Sequence, residues 1–157
     1  VFIMRKILND SHGIGLAAPQ VGVNKRIIIV DVPKQEETEN SEVLSFGRYE
    51  MINPSIIEYS KATSEMNEGC LSIPGVSESV ERPSYIVVSY ADTDGQTKVL
   101  RANGLLARCI QHEIDHLNGI LFIDKLSSLK KDMIVRKMKK FQKKGVMVVK
   151  ASNINVF

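Results

Sequence analysis

The chain has 157 residues, enough for one domain with a buried core. Hydrophobic residues make up 43% and charged residues 25%, and no apolar run approaches a membrane span, so a disordered chain and a helical membrane protein are both excluded. The net charge of +3 hides an asymmetry: residues 1–124 carry 11 Lys+Arg against 17 Asp+Glu (−6), and residues 125–157 carry 10 against 1 (+9). Val1 to Leu8 place apolar side chains at 3, 4, 7 and 8, which predicts a helix that Gly13 can stop. Val1 is not an initiator Met and no N-cap precedes the helix, so upstream residues are expected before it.

Gly13-Ile14-Gly15-Leu16-Ala17-Ala18-Pro19-Gln20 follows. Its glycines let the backbone turn tightly and approach a ligand closely. No Lys-Ser/Thr pair follows and no strand precedes, so a phosphate loop is disfavoured. Residues 25–32 read as a buried strand and 33–47 as an exposed acidic loop. Residues 50–53 and 55–59 read as short strands broken at Pro54. Asn67-Glu68-Gly69-Cys70-Leu71-Ser72-Ile73-Pro74-Gly75 is placed to present a thiolate from a strand or loop. Residues 84–90 and 97–101 flank Asp92-Thr93-Asp94-Gly95, a hairpin signal. Asn103 or Gly104 opens a helix that Asn118-Gly119 closes, with Leu105, Leu106, Ile110 and Leu117 packing it. A last helix is expected from about 128 to 144, its apolar stripe made of Leu129, Met133, Ile134, Met138 and Phe141, with Gly145 ending it.

The penultimate helix carries Gln111-His112-Glu113-Ile114-Asp115-His116, an H-E-x-x-H motif. Residues four apart stack on one helical face, so both imidazoles can meet one metal ion. Glu113 sits beside the first of them, where its carboxylate can reach water held at that ion. A catalytic site of this kind takes three protein ligands. Position 122 holds Phe122 rather than His, no Glu follows Glu113, and His12 is far upstream. Cys109 shares the helical face, but 109 to 116 spans about 10 Å at 1.5 Å per residue. Metal bonds of about 2.0–2.3 Å cannot bridge those ends, so Cys109 reads as a small packed residue. Elimination leaves Cys70 as the third ligand, and with one cysteine used this way nothing suggests a secreted disulfide scaffold.

The blocks Gly13 to Gln20, Glu68-Gly69-Cys70-Leu71-Ser72 and Gln111 to His116, in that order, closely resemble the bacterial peptide deformylases. Those enzymes remove the formyl group from the N-terminal methionine of nascent chains and release formate. The resemblance runs from about residue 1 to 145 and implies an α+β fold: antiparallel strands packed around a central helix carrying the histidine pair, with a C-terminal amphipathic helix. Residues 1–157 are then one catalytic domain lacking its N-terminal segment. The implied metal ligands are Cys70, His112 and His116. The implied metal is one divalent ion, ferrous iron in nature, with zinc, nickel or cobalt accepted. Glu113 is implied as general base and acid, and the Gln20 amide with the Leu71 backbone N–H as oxyanion donors. Gly13, Ile14, Gly15, Leu105 and Cys109 are implied around the substrate, the last two outside the strict motifs. Arg108 would change the apolar rim of the pocket if it faced the mouth.

N-formylmethionyl peptides are the expected partners, and the ribosome surface is a further candidate through the basic C-terminal helix. No membrane and no specific DNA partner is expected, and the expected home is the cytoplasm or an organelle. Two other classes compete. A general metallopeptidase would use His or Glu where Cys70 stands. An RNA binder with a structural metal would need a fourth protein ligand and would leave Glu113 without a role.

Overall fold

The structure, a computed structural model, describes residues 1–34 and 42–143, the last three by backbone alone. Residues 35–41 of the expected acidic loop, Lys144, Gly145 and residues 146–157 lie outside the described residues. Helix α1 (Phe2–Ser11) buries Met4 and Leu8 against Leu16, Ala18 and Ile29. It ends one residue before the expected Gly13, because His12 itself takes the left-handed conformation at φ 55°. Strand β1 (Gly15–Ala17) then leads into a 3₁₀ turn, Ala18–Val21, with Pro19 near its start.

Strand β2 (Ile27–Val32) is buried along nearly its whole length, which is why it reads as an apolar run rather than an alternation. It pairs with β1 on one side and with β3 (Gly47–Tyr59) on the other. Strands β6 (Tyr85–Ala91) and β7 (Thr97–Asn103) complete an antiparallel sheet in the order β1-β2-β3-β6-β7. The expected break at Pro54 is absent: β3 runs through it. Its register with β6 slips between Ile52 and Ser55, and Asn53 sits at φ 51° with its N–H on the Arg26 carbonyl at 2.7 Å. A bulge is where a strand tolerates a residue with no N–H. The β6–β7 hairpin is closed as expected, with Asp92 accepting from the Asp94 and Gln96 N–H groups at 3.0 and 2.8 Å.

Strands β4 (Thr63–Cys70) and β5 (Ile73–Pro83) form a separate antiparallel ribbon that turns at Leu71 and Ser72. Helix α2 (Gly104–Leu117) lies against both sheets. Leu106, Ala107, Cys109 and Ile110 join Ile28, Val30, Ile86 and Val88 in the main core. Arg108 and Gln111 instead bond to β5, at the carbonyls of Val80 and Pro83. A helix buried on this many sides carries its polar residues inward, and those residues make the site.

Helix α3 (Ser128–Lys143) departs from its expected stripe. Ile134, Val135 and Met138 pack against Val76, Val80, Phe122 and Ile123. Leu129 and Met133 are 71% and 63% exposed, so the buried face is rotated away from them. Phe141 lies among the residues described by backbone alone. No helix among the described residues is long and apolar enough to cross a membrane.

Candidate metal centre

The two histidines of α2 stand one turn apart with ring centroids 4.9 Å from each other, edge to face. The end of β4 brings the third donor: Cys70 Sγ is 3.2 Å from His116 Nε2. One donor atom from each of Cys70, His112 and His116 falls within 4.8 Å of the others, and all three residues are buried. Among the described residues no fourth His, Cys, Asp or Glu joins this group. Cys109 is a free thiol too, but its Sγ donates to the Ile14 carbonyl at 3.3 Å and is not among the grouped donors. Burial, with the Glu113 carboxyl nearby, pushes the Cys109 thiol well above its ordinary value and keeps it protonated.

The donor set suits a transition metal. A thiolate with two imidazoles fits zinc, iron, nickel or cobalt, and three protein ligands leave a position open. The tautomer of His112 is set from outside: its Nδ1 lies 3.0 Å from Glu68 Oε2, which leaves Nε2 for the ion. Burial raises the Cys70 thiol to about 11, against the pull of the Ser72 N–H, whose hydrogen bond to Sγ is 3.4 Å long. Burial and then the neighbouring His112 lower His116 to about 4, so its ring is neutral at pH 7 and able to ligate.

Glu113 lies between these groups and Gly15. It is 1% exposed, and neither carboxylate oxygen has a hydrogen-bond partner among the described residues. Burial pushes its carboxyl well above the ordinary value, opposed by Arg82 and reinforced by Glu68. A Cβ on Gly15 would strike the Glu113 carboxylate and stand 2.7 Å from Cys109 Sγ, so only glycine fits there. Gln20 faces the trio from the 3₁₀ turn. The Ala17 N–H donates to its Oε1 at 2.8 Å, which turns the Nε2 donor towards Ser72 Oγ at 3.2 Å and Cys70 Sγ at 3.7 Å. Leu71 follows Cys70 in the ribbon turn and is half-buried. Leu105 is half-buried on the main core, one turn before Cys109. Gly13 stands before the cluster, its N–H on Ser11 Oγ at 3.4 Å.

A buried ionic network supports the trio, and the sequence reading missed it. Glu68 receives the Arg82 fork at 2.6 and 2.8 Å and Arg108 Nη1 at 2.6 Å, besides His112. Arg82 also donates to Asp115 at 2.7 Å, and Lys125 pairs with the same carboxylate at 3.1 Å. Burial alone would raise the Glu68 carboxyl, but the hydrogen bonds from Arg82 and His112 outweigh it and hold it at about 2. Glu68 lies two residues before Cys70 in the same short block, a carboxylate that could have been weighed beside the thiol. Arg82 carried no such signal. Arg108 does not reach a pocket mouth; it is 1% exposed and turned towards Glu68 and the ribbon.

The family model described as "Polypeptide deformylase" matches residues 1–132. A peptide deformylase of Wolbachia sp. subsp. Drosophila simulans (strain wRi) is 50% identical over 141 residues, covering 89% of this chain and 79% of that protein. The crystal structure of peptide deformylase from Ehrlichia chaffeensis is similar with a TM-score of 0.84 and 42% identity, covering 90% of this chain and 80% of that one. The Ehrlichia chaffeensis enzyme in complex with actinonin gives a TM-score of 0.80 and 43% identity, over 87% and 78% of the two chains. A family model that spans most of the chain, relatives at half identity and solved structures with the same fold agree, and the chain belongs to the peptide deformylase family.

Proposed function

We propose that Cys70, His112 and His116 hold one divalent metal ion at the centre of the family's reaction. The chain is a peptide deformylase, a hydrolase that removes the formyl group from the N-terminal formyl-methionine of nascent polypeptides and releases formate. Ferrous iron is the proposed native metal, with zinc, nickel or cobalt as substitutes. When bound, the ion supplies Lewis acidity, which makes water a nucleophile near neutral pH and polarises the formyl oxygen. The observation that carries the reading is the trio of donors within 4.8 Å beside a buried Glu113 whose oxygens have no hydrogen-bond partner among the described residues.

In this reading Glu113 takes the proton of the attacking water and returns it to the leaving amine. Its burial, with no hydrogen-bond partner among the described residues, leaves both oxygens free to accept and give a proton. Negative charge develops on the formyl oxygen, and donors already aimed at it cost no reorganisation. The Gln20 amide and the Leu71 N–H take that role, and the Ala17 bond to Gln20 Oε1 keeps the amide from flipping. Gly13 and Gly15 let the backbone lie close to the substrate peptide, which binds as an added strand. Ile14, Leu105 and Cys109 line the place for the methionine side chain.

Residues 1–157 act as one catalytic unit in this reading. The α3 helix holds the enzyme near ribosomal RNA phosphate in the cytoplasm, or in an organelle, where formylated chains emerge. Arg136, Lys137, Lys139 and Lys140 are exposed on this helix, and Lys130 and Lys131 pair with Glu78 and Asp124. The test of the activity is formate release from a formyl-methionyl peptide, beside the same peptide without the formyl group. Formate from the first only, abolished by a chelator and restored by metal, is expected. Cleavage within the unformylated peptide would favour a metallopeptidase, and chelator-resistant turnover would remove the metal from the account.

A further inference from the structure

The three ligands of the proposed metal stand on different pieces of the fold. His112 and His116 belong to α2, while Cys70 ends β4 in the separate ribbon. The spacing of the ligands therefore depends on how the ribbon docks on the helix. Gln111 crosses that joint to the Pro83 carbonyl and Asp115 to Arg82, but Arg108 reaches both strands of the ribbon and Glu68 at once. Arg108 lies one helical turn before His112 on the same face. Its Nη1 donates to Glu68 Oε1 at 2.6 Å and to the Val80 carbonyl at 2.8 Å. Its Nη2 donates to the Ser64 carbonyl at 2.6 Å and to Ser64 Oγ at 3.2 Å. A single planar fork thus reaches both strands of the ribbon and the carboxylate that faces His112 Nδ1.

Stability alone does not account for a guanidinium here. Burying a charge carries a desolvation cost that an apolar side chain of similar volume would avoid. Nor does Glu68 need a second cation for neutrality, because Arg82 already meets both its oxygens. What Arg108 adds is geometry. Its donors are fixed relative to one another, so the two carbonyls and Glu68 must keep their places relative to α2. We infer that Arg108 is a positioning residue: it fixes the ribbon on α2 and so sets the place of Cys70, and of Glu68 behind His112, relative to the histidine pair. This inference rests on the three-ligand reading above.

The experiment uses cobalt as the probe metal in the full chain. Wild type, Arg108→Met, Arg108→Lys and Cys70→Ala are compared by cobalt affinity, by the thiolate-to-cobalt absorption band and the d–d bands, and by turnover per bound cobalt. Wild type should show the thiolate band and Cys70→Ala should not. Arg108→Met should bind cobalt about 10–100-fold more weakly and shift the d–d bands, as the loss of an outer-shell partner does. Arg108→Lys keeps the charge beside Glu68 but cannot reach both strands, so it should fall between the two. Wild-type affinity and spectrum in Arg108→Met, even with lowered thermal stability, would show a purely structural residue and overturn the inference. If Arg108→Met does not fold, Arg108→Lys decides: shifted bands support the positioning role and wild-type bands overturn it. A wild type without the thiolate band would overturn the ligand reading itself, and this inference with it.

Discussion

Glu68 Oε2 lies 3.0 Å from His112 Nδ1, so a carboxylate on β4 fixes the orientation of a ring on α2. Glu68 is ionised and can only accept, so His112 donates from Nδ1 and turns Nε2 towards Cys70 and His116. The ribbon therefore contributes twice to the proposed centre, through Cys70 directly and through Glu68 behind the histidine.

Replacing Glu68 by Gln keeps the shape and removes the charge. Arg82 and Arg108 then lose their shared anion while still buried, which costs about 3–5 kcal/mol. The lowering of the carboxyl from 4.5 to about 2 corresponds to about 3 kcal/mol, in agreement. A depressed folded-state pKa gives stability that is complete above the unfolded value and lost as pH falls through the folded one. In urea unfolding of metal-free protein, the gap between wild type and Glu68→Gln should stay open above pH 4.5 and close as pH falls towards 2. A gap independent of pH would show that the carboxylate charge is not what stabilises the network.

Gly15→Ala tests the packing of β1 on α2. The added methyl meets the Glu113 carboxylate and Cys109 Sγ, and both are held in a packed core. The strain is expected to cost about 1–3 kcal/mol in stability. Displacement of Glu113 should lower turnover by about 10²-fold with the metal retained, because small misplacements of reacting groups have large effects on rate. Turnover per bound metal measures this, and an unchanged value would mean that the position of Glu113 does not matter.

The site was more legible than the scaffold that supports it. The candidate trio His112, His116 and Cys70 could be proposed from the sequence because ligand chemistry restricts residue type and helical pitch restricts spacing, and the fold brings the three together. The helix around them was bounded by Asn103-Gly104 and Asn118-Gly119, close to the observed Gly104–Leu117. Strand β4 could not be read: Thr63–Cys70 is largely polar, and its strand form comes from pairing with β5. Pro54 misled because the slip in register that accommodates it is a property of the β3–β6 pair. The α3 stripe was rotated because Ile134, Val135 and Met138 meet β5 and the Phe122 turn, a docking angle that the periodicity of Leu129 and Met133 does not reveal. Arg108 lies within a ligand-bearing helix, and only the fold shows that it turns towards Glu68.

The two cysteines should behave differently. Cys70→Ala reduces the proposed centre to two ligands and should lose most metal affinity. Cys109→Ala should retain the metal and lose only packing and some substrate affinity. Metal analysis of the purified variants separates them, and the reverse pattern would transfer the ligand role to Cys109.

Replacing Lys130, Lys131, Lys137, Lys140 and Lys144 by Gln should weaken cosedimentation with ribosomes at low salt. Each phosphate that is no longer neutralised should lower the slope of log affinity against log salt by roughly 0.7–0.9. Turnover of a free formyl-methionyl peptide should not change. Equal pelleting of wild type and variant would remove the ribosome from the account.

The most direct test of the central claim is formate release by Glu113→Gln with its metal content measured in the same sample. Glutamine keeps the size of the side chain and removes the base. The account predicts full metal occupancy, because Glu113 is not a ligand, and turnover lower by at least ~10²-fold. Near-normal formate release from fully loaded Glu113→Gln would contradict it.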